Sequence, residues 1–442
     1  MQITPSVKKK TPLRLVELQL LVAPALLALI GMLIVISVPN QRVGWDAKDL
    51  WMTFVFIGLL LVTHLVLTIW LPRSDQLIIP LISALSAFGL IMSQRLETTR
   101  TGNIASRQVL WVALGYATFL IVVLGLRNIM LLRRYKYTFL FLGLVLTAAV
   151  TVFGQEVNGA RLWFRFGIFS FQPSELLKVM LVVFLAAYLD DKREVILSAN
   201  FRLGPIPLPP FPYLMPMLGI LGIALLTMIV QKELGAAELF FGVFLIMLFA
   251  ATGRASYIIV GLFLFIAGFA LIYVLSANID QLAHVRVRVD AWLNPWPTGQ
   301  GRSYQIVQAL FSFAEGGVFG QGIGQGAPYF IPEVHTDYVM AAIGEEMGLA
   351  GALGILGLDI LLVYRGFHIA LHTTNGFYQF LAIGISAIFG IQTLIIVGGV
   401  TKLIPLSGMT LPFISYGGSS ILVNFLMAGL LVRLSLERDS KL

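Results

Sequence analysis

The 442-residue sequence contains no cysteine and few charged residues. The absence of cysteine excludes disulfide bonds, thiolate metal ligands and a cysteine nucleophile. Charged residues make up only 12% of the chain and hydrophobic residues 58%, against about 25% and roughly 45–50% in soluble domains. A water-soluble domain is therefore excluded. The chain instead has apolar runs of about 20 residues from end to end, each long enough for a helix that crosses a bilayer.

These runs predict an all-α polytopic membrane protein with about 12 transmembrane helices. An even number of spans places both termini on the same side of the membrane. A long polar segment, 277–337, separates the ninth span from the tenth. The predicted spans are 16–38, 50–71, 77–93, 108–126, 137–153, 173–189, 213–230, 236–251, 257–276, 338–364, 377–401 and 409–432.

The distribution of Lys and Arg residues predicts which side the termini occupy. The net charge is +8, but the basic residues lie in turns between spans, and the sequence contains no nucleic-acid motif. Turns on the side of the termini carry 17 Lys and Arg residues, and turns on the other side carry 12. Because cytoplasmic turns are enriched in these residues, we expect cytoplasmic termini. The polar segments 154–172 and 277–337 are then extracytoplasmic.

Several motifs of other protein classes are absent. The glycine-rich run 316–326 lacks the Gly-Lys-Ser/Thr ending and the βαβ context of a phosphate-binding loop. Flexible or closely packed backbone at the membrane surface is the better interpretation of this run. Asn158-Gly159 is primarily a turn signal. No His, Asp and Glu cluster has metal-ligand spacing on one helix, and no convincing internal repeat supports an inverted-repeat transporter.

Ionisable residues near the spans are candidates for a binding site, because charges at membrane depth are costly. Glu175 and Lys178 share one helical face directly after Pro173. They predict either a local ion pair at a helix start or a cationic lining for an anionic headgroup. Residues 231–235 predict either a tight charged turn or a broken-helix site in which Lys232 also faces the outer cavity.

Asp337 lies where the long polar segment gives way to a span. It is a candidate N-cap carboxylate or, if partly desolvated at a cavity mouth, a candidate general base. On a continuous helix Glu345 lies about 80° from Asp337 and two turns deeper, with Glu346 on the opposite face. Because both cannot face lipid, one is predicted to line a cavity with Asp337 above it. His335, a lone loop histidine, is interpreted as structural or solvated.

These residues resemble the successive signatures of the SEDS family, the RodA/FtsW peptidoglycan glycosyltransferases. The resemblance is ordered and extends over residues 77–435. Two departures stand out: residues 231–235 replace the usual Pro-Asp-Leu-Gly, and the loop after Pro295 lacks an acidic residue often found there. The segments that carry the resemblance are Asn158–Trp163, Phe171–Lys178, Asn294-Pro295, Tyr304-Gln305, Pro332–Asp337, Gly344–Glu346 with Gly348, and Pro412–Ser420.

The family core has ten spans, so the resemblance implies an extra N-terminal pair. The implied divisions are a cytoplasmic N-terminus at 1–15, the extra pair at 16–76, the SEDS core at 77–435 and a cytoplasmic tail at 436–442.

The resemblance also implies an enzyme that polymerises lipid II at the outer face of the bacterial cytoplasmic membrane, with Asp337 as its essential carboxylate. The chemistry needs a base for the acceptor hydroxyl and positive charge for the departing diphosphate. Candidates for substrate contacts near Asp337 are Arg107, Arg161, Glu175, Lys178, Lys232 and Glu345. A divalent cation, Mg²⁺ or Mn²⁺, could bridge the diphosphate, although the sequence shows no dedicated site. The implied partner is a class B penicillin-binding transpeptidase.

Two other classes of function stay open at this point. A flippase for lipid-linked oligosaccharides would also need a charged cavity, but one accessible from both sides of the membrane. A non-enzymatic scaffold of the wall-synthesis complex would need no buried carboxylates. The signatures do not separate the elongation, division and sporulation branches, and the extra N-terminal spans favour elongation.

Overall fold

The structure is a computed structural model that describes most of the chain. The described residues are 14–38, 47–98, 102–157, 160–167, 169–198, 202–203, 206–207, 211–279, 282–296 and 302–437. The predicted turn at Asn158-Gly159, most of the N-terminal segment 1–15 and most of the tail 436–442 lie outside them.

The protein is built from α-helices, as the apolar runs predicted. Eleven helices of the described residues are long and apolar enough to cross a membrane. The helices are α1 (Leu15–Ser37), α2 (Trp51–Trp70), α3 (Ile78–Arg95), α4 (Ile104–Gly125), α5 (Met130–Arg134), α6 (Lys136–Phe153), α7 (Pro173–Ser198), α8 (Phe211–Val230), α9 (Leu234–Thr252), α10 (Ala255–Leu275), α11 (Ala283–Leu293), α12 (Arg302–Gly316), α13 (Val339–Leu371), α14 (Gly376–Val400) and α15 (Gly418–Leu434).

Helix α7 is a twelfth long helix, and it carries charge near both ends. Glu175 and Lys178 lie near its start, and Asp190 and Asp191 lie toward its other end. Every predicted span falls on one of these twelve helices, so the predicted fold class is confirmed. The last span begins at Gly418 instead of residue 409, because residues 401–417 form a loop.

Short strands form within the polar segment 154–172 and again after α7. Strands β1 (Gln155–Val157), β2 (Ala160–Phe166) and β3 (Phe169–Phe171) form an antiparallel sheet in the order β1-β2-β3. Phe164 pairs with Phe171 across β2 and β3. A two-stranded ladder, β4 (Arg202–Leu203) and β5 (Ile206–Pro207), follows α7. The aromatic residues of β2 and β3 suit a strand surface.

The centre of the helix bundle contains α3, α14 and α15, which are mostly buried by their neighbours, whereas α10 faces outward along nearly its whole length. Helix α3 approaches the 401–417 loop closely at Gly89. A Cβ there would lie 2.6 Å from the carbonyl oxygen of Ile414 and 2.9 Å from that of Phe413. Only glycine fits this contact, which fixes the loop against the core.

Contacts at the ends of the helices separate two faces of the bundle. On one face, Arg14 donates to the Ser74 and Asp75 carbonyl oxygens, at 2.9 and 2.7 Å. On the same face, the Ser435 hydroxyl accepts a hydrogen bond from the Asp75 amide. The start of α1 and the end of α15 therefore lie on this side of the bundle.

On the opposite face, three polar segments meet. Ser419, at the start of α15, accepts a hydrogen bond from the Gln172 amide at 2.9 Å. The Tyr416 amide donates to the His335 carbonyl oxygen at 2.9 Å. The residues before α7, the turn before α13 and the 401–417 loop are thus neighbours, and the candidate site lies here.

The glycine-rich run packs its backbone against a break in α13. Gly348 leaves helical geometry at φ 66° and ψ −168°. The amides of Leu349 and Ala350 then donate to the carbonyl oxygens of Gly317 and Val318, each at 3.0 Å. The closely packed backbone expected for residues 316–326 is present.

The acidic pair in α13 is buried and bound to neighbouring segments. Glu345 is only 2% exposed and accepts hydrogen bonds from the Ser312 hydroxyl, at 2.6 Å, and from the Ala327 amide. Glu346 pairs with Arg95 at 2.7 Å. Both carboxylates hold the loop before α13, and the cavity below Asp337 stays a prediction. The expectation assumed a continuous helix from Asp337, but α13 begins at Val339.

Candidate active site

Asp337 lies in the turn that precedes α13. The helix N-cap is Tyr338, which makes no side-chain cap hydrogen bond, so the alternative of Asp337 as an N-cap carboxylate is wrong. The Asp337 carboxylate instead accepts a hydrogen bond from the hydroxyl of its neighbour Thr336. The turn is fixed from the side by Ser415, whose hydroxyl donates to the Thr336 carbonyl oxygen at 2.6 Å.

The environment of Asp337 favours the protonated carboxyl. Burial raises the pKa of Asp337 above its ordinary value, and Glu333 raises it further, while the Thr336 hydroxyl and the Arg288 guanidinium lower it. Burial is the largest effect because it removes water from the charged form. A carboxylate with raised proton affinity is suited to accept a proton from a substrate hydroxyl.

Arg288, in α11, is the basic residue next to Asp337. Its Nη1 lies 3.1 Å from the Ser407 carbonyl oxygen and 3.4 Å from that of Leu406. Gly408 follows in the left-handed conformation, with φ +73°. A Cβ on Gly408 would lie 3.8 Å from Arg288 Nη2 and 3.8 Å from Asp337 Oδ2. The guanidinium and the carboxylate therefore face the same point above Gly408.

Sequence reasoning missed Arg288. The available signal was an arginine inside a short helix whose flanking valines, Val285 and Val289, are buried. No local pattern connects α11 with Asp337 or Gly408, because the three segments meet only in the folded chain.

His335 has a structural position beside Asp337. Its carbonyl oxygen accepts from the Tyr416 amide, and its ring lies 5.6 Å from the Tyr416 ring. Burial lowers the pKa of His335, and Glu333 partly opposes this effect. These contacts agree with the structural interpretation of His335.

A second charged cluster surrounds the start of α7. Lys178 Nζ lies 2.6 Å from Glu175 Oε2 and donates to Gln392 Oε1 at 3.1 Å. The predicted Glu175–Lys178 ion pair is thus present, and Lys178 is 2% exposed. Glu233, just before α9, accepts a hydrogen bond from the side-chain amide of Gln172 and another, at 2.9 Å, from the Ser174 hydroxyl. Burial raises the pKa of Glu233 to about 7.

Residues 406–410 lie between the two clusters. Gly235, in the first turn of α9, packs against this segment, since a Cβ there would lie 2.8 Å from Ser407 Cβ and 2.6 Å from Met409 Cγ. Gln392, which holds Lys178, also donates to the Thr410 carbonyl oxygen at 2.7 Å. The 401–417 loop therefore contacts Arg288 and also Gln392, which holds Lys178.

The other predicted cations lie on the surface around this region. Arg161, in β2, is half-exposed and lies 3.6 Å from Glu156. Arg107 is exposed in the first turn of α4, next to Gln108, whose side chain donates to the Ser415 carbonyl oxygen at 3.4 Å. Lys232 is exposed in a tight turn with φ +64°. The predicted substrate contacts of these three residues stay predictions.

No resident metal site can be assigned. Within the described residues, no group of three or more His, Cys, Asp or Glu side chains is arranged to hold a metal ion. The geometry instead brings the buried Asp337 carboxylate and the Arg288 guanidinium together near Gly408. A guanidinium is always protonated, so the pair can accept a proton and stabilise an anion.

The fold defines a multi-pass helical membrane protein, and the Asp337 carboxylate and the Arg288 guanidinium lie together at one face of its bundle. The sequence model of the FtsW/RodA/SpoVE cell cycle proteins matches residues 75–440. The chain belongs to this family, as the resemblance indicated.

Relatives extend the comparison to nearly the whole chain. A peptidoglycan glycosyltransferase RodA from Mycobacterium bovis is 39% identical over 428 residues, covering 95% of this chain and 90% of the relative. The RodA of Mycobacterium leprae is 37% identical and covers 98% of this chain and 93% of the relative. A probable peptidoglycan glycosyltransferase FtsW from Geobacter metallireducens is 35% identical and covers 83% of this chain and 95% of the relative.

Solved structures share the fold. A chain of a peptidoglycan synthase complex, described as coordinating polymerization and crosslinking, has a TM-score of 0.66 and 26% identity, covering 84% of this chain and 100% of that chain. The rod shape determining protein RodA of Thermus thermophilus has a TM-score of 0.56 and 24% identity, covering 84% of this chain and 98% of that chain. At that identity, the likeness to the Thermus protein shows the fold alone.

Proposed function

We propose that this protein polymerises lipid II into glycan strands, with Asp337 as the general base. It is a peptidoglycan glycosyltransferase of the FtsW/RodA/SpoVE family, as its relatives are. The observation that carries the proposed mechanism is the placement of the buried Asp337 carboxylate across Gly408 from the Arg288 guanidinium. That placement offers a proton acceptor beside a fixed positive charge.

The proposed step forms one bond and breaks another at the donor sugar. The acceptor hydroxyl oxygen bonds to the anomeric carbon, and its proton moves to the Asp337 carboxylate. The bond from the anomeric carbon to the diphosphate oxygen breaks, and its electron pair leaves with the diphosphate. A sugar hydroxyl is too weakly acidic to attack without a base, and the leaving anion needs positive charge.

The cations named from the sequence divide into two kinds by burial. Lys178 is buried and held by Glu175 and Gln392, so we propose that it contributes positive potential from below the site. Arg107, Arg161 and Lys232 are exposed, and we propose that they attract the anionic substrate at the surface. Glu345 is fully engaged with the loop before α13, so its contacts favour support of that loop over substrate binding.

The proposed orientation places the site outside the cell. The start of α1 and the end of α15 lie on one face of the bundle, and the site lies on the other. The excess of Lys and Arg on the side of the termini supports a cytoplasmic position for the chain ends in the bacterial inner membrane. Lipid II, once flipped, presents its sugars on the side where Asp337 would then lie.

The proposed partner is a class B penicillin-binding transpeptidase. Support comes from the similar chain of a complex that coordinates polymerization and crosslinking. We further propose the elongation branch, because the RodA relatives align over nearly the whole chain, including the N-terminal pair.

The test is an assay of purified protein, alone and with its transpeptidase, with lipid II as the only substrate. A polymerase produces glycan ladders on gels. The same protein in vesicles with fluorescent lipid II distinguishes a flippase, which would move the lipid between leaflets without forming ladders. A scaffold would do neither.

A further inference from the structure

Arg288 is held by backbone groups, and this fixes the direction of its guanidinium. Nη1 contacts two consecutive carbonyl oxygens, those of Leu406 and Ser407. One turn further along α11, Trp292 Nε1 donates to the Lys402 carbonyl oxygen at 3.0 Å. Two side chains of α11 thus bind the 401–417 loop, so the guanidinium needs little reordering to meet a ligand.

The space above Gly408 is lined by two opposite charges. Apart from Gly408 and its chain neighbours, Arg288 Nη2 and Asp337 Oδ2 are the only atoms of the described chain within 4 Å of the position a Cβ would take there. Any side chain at position 408 would enter this space, and the left-handed φ also favours glycine. The chain therefore leaves a gap between a base and a cation.

The position of α11 matches the level of a lipid-linked diphosphate. Helix α10, a candidate membrane span, ends at Leu275, and α11 begins at Ala283. Val287 and Leu293 of α11 are exposed apolar residues, so α11 presents apolar surface close to the end of a candidate span. In a lipid-linked donor the diphosphate joins the membrane-embedded chain to the sugar, so it lies at this level.

We propose that Arg288 binds the diphosphate of the donor substrate and stabilises it as the bond to the sugar breaks. This inference rests on the proposed function. Guanidinium is always charged and can donate two parallel hydrogen bonds to phosphate oxygens. Asp337 accepts the hydroxyl proton on one side of the gap. On the other side, Arg288 stabilises the negative charge that develops on the leaving diphosphate.

A purely structural role would make a different prediction. Arg288 would then serve only to hold residues 406–408, and its loss would affect all ligands alike. A leaving-group role requires a specific loss of affinity for the diphosphate. Binding of undecaprenyl diphosphate, compared with undecaprenyl monophosphate, measures this difference without requiring turnover.

The experiment compares Arg288→Gln with Arg286→Gln in the purified full-length protein. Arg286 is a matched control because it lies on the same helix, is half-exposed and lies 3.6 Å from Asp290. We expect wild type and Arg286→Gln to bind the diphosphate lipid more tightly than the monophosphate lipid. Arg288→Gln should lose about tenfold or more in diphosphate affinity, as expected for a charge-assisted hydrogen bond, with monophosphate affinity little changed.

Further variants keep the test decisive. If thermal unfolding shows that Arg288→Gln is not folded, Arg288→Lys is used instead. This variant should keep a reduced preference for the diphosphate, because lysine keeps the positive charge but lacks the two parallel donors of the guanidinium. Asp337→Asn should lose polymerisation while retaining diphosphate binding. A folded Arg288 variant with wild-type preference for the diphosphate would overturn the inference. Wild-type protein that makes no glycan from lipid II would instead overturn the proposed function, and the binding comparison would still decide the role of Arg288.

Discussion

At the scale of single residues, the proposed chemistry depends on the protonation state of Asp337. Its pKa is raised mainly by burial, so ionisation of this carboxyl opposes folding at pH values above its ordinary range. The same burial gives the ionised carboxylate the proton affinity that a base requires. Stability and activity should therefore respond in opposite directions when this charge is removed.

The pH dependence of polymerisation follows from this shift. The rate should fall as the pH is lowered through the raised pKa of Asp337, because the protonated carboxyl cannot accept the hydroxyl proton. The acidic limb should lie above the ordinary pKa of aspartic acid, 3.8. Initial rates of lipid II consumption across pH, with protein stability checked at each value, provide the measurement. An acidic limb at or below the ordinary value would contradict the assigned environment.

The Glu175–Lys178 pair allows its structural and functional roles to be separated. Lys178→Met alone leaves a partly buried carboxylate without its partner and should destabilise the protein by up to about 3–5 kcal/mol. Combining it with Glu175→Gln should restore much of this stability. If Lys178 supplies positive potential, the double variant will still bind lipid II more weakly than wild type. Full recovery of binding in the stable double variant would show that the pair is only structural.

At the scale of secondary structure elements, hydropathy predicted the spans but not the geometry at their ends. The twelve spans follow from local composition, and the Glu175–Lys178 pair follows from helical spacing. The start of α13 at Val339 and its break at Gly348 depend on the packing of the glycine-rich run. The angles expected for Glu345 and Glu346 assumed a continuous helix from Asp337 and did not include these features.

The pairing of Arg288 with Asp337 was not predictable for a related reason. Each residue belongs to a different segment of the long polar region, and the gap between them is formed by Gly408 from a third segment. The meeting of these three segments is set by tertiary packing, which a single sequence does not encode as a local pattern. The role proposed for Asp337, by contrast, comes from its motif.

Glu345 gives a prediction that separates loop support from substrate contact. Glu345→Gln removes a charged acceptor from the Ser312 hydroxyl and the Ala327 amide. We expect a loss of about 1–3 kcal/mol in stability, with the KM for lipid II unchanged. Thermal unfolding and steady-state kinetics check both parts. A raised KM in a protein of wild-type stability would restore Glu345 to the substrate contacts.

At the scale of the whole molecule, the N-terminal pair is attached to the core at both faces of the bundle. Arg14 contacts the turn between α2 and α3 on one face. On the other, Val38 packs against Gly324, where a Cβ would lie 2.8 Å from Val38 Cγ2. The pair is therefore joined both to the core and to the loop before α13.

The orientation of the bundle in the membrane can be tested directly because the chain has no cysteine. Single cysteines at the exposed positions Gln325 and Asn128 report on the two faces. A membrane-impermeant maleimide applied to intact spheroplasts should label the protein with cysteine at 325 and not the one with cysteine at 128. The reverse pattern would place Asp337 inside the cell, away from flipped lipid II.

The proposed role of Asp337 as the base for polymerisation of lipid II is tested by removing its ability to accept a proton. Purified wild-type protein and Asp337→Asn, matched for folding by thermal unfolding, are incubated with lipid II, and glycan products are separated on gels. We expect ladders from wild type and a loss of about 10²–10⁴-fold in the Asn variant, because the amide is similar in shape but cannot accept the proton. Ladders formed by folded Asp337→Asn at a near-normal rate would show that Asp337 is not the base.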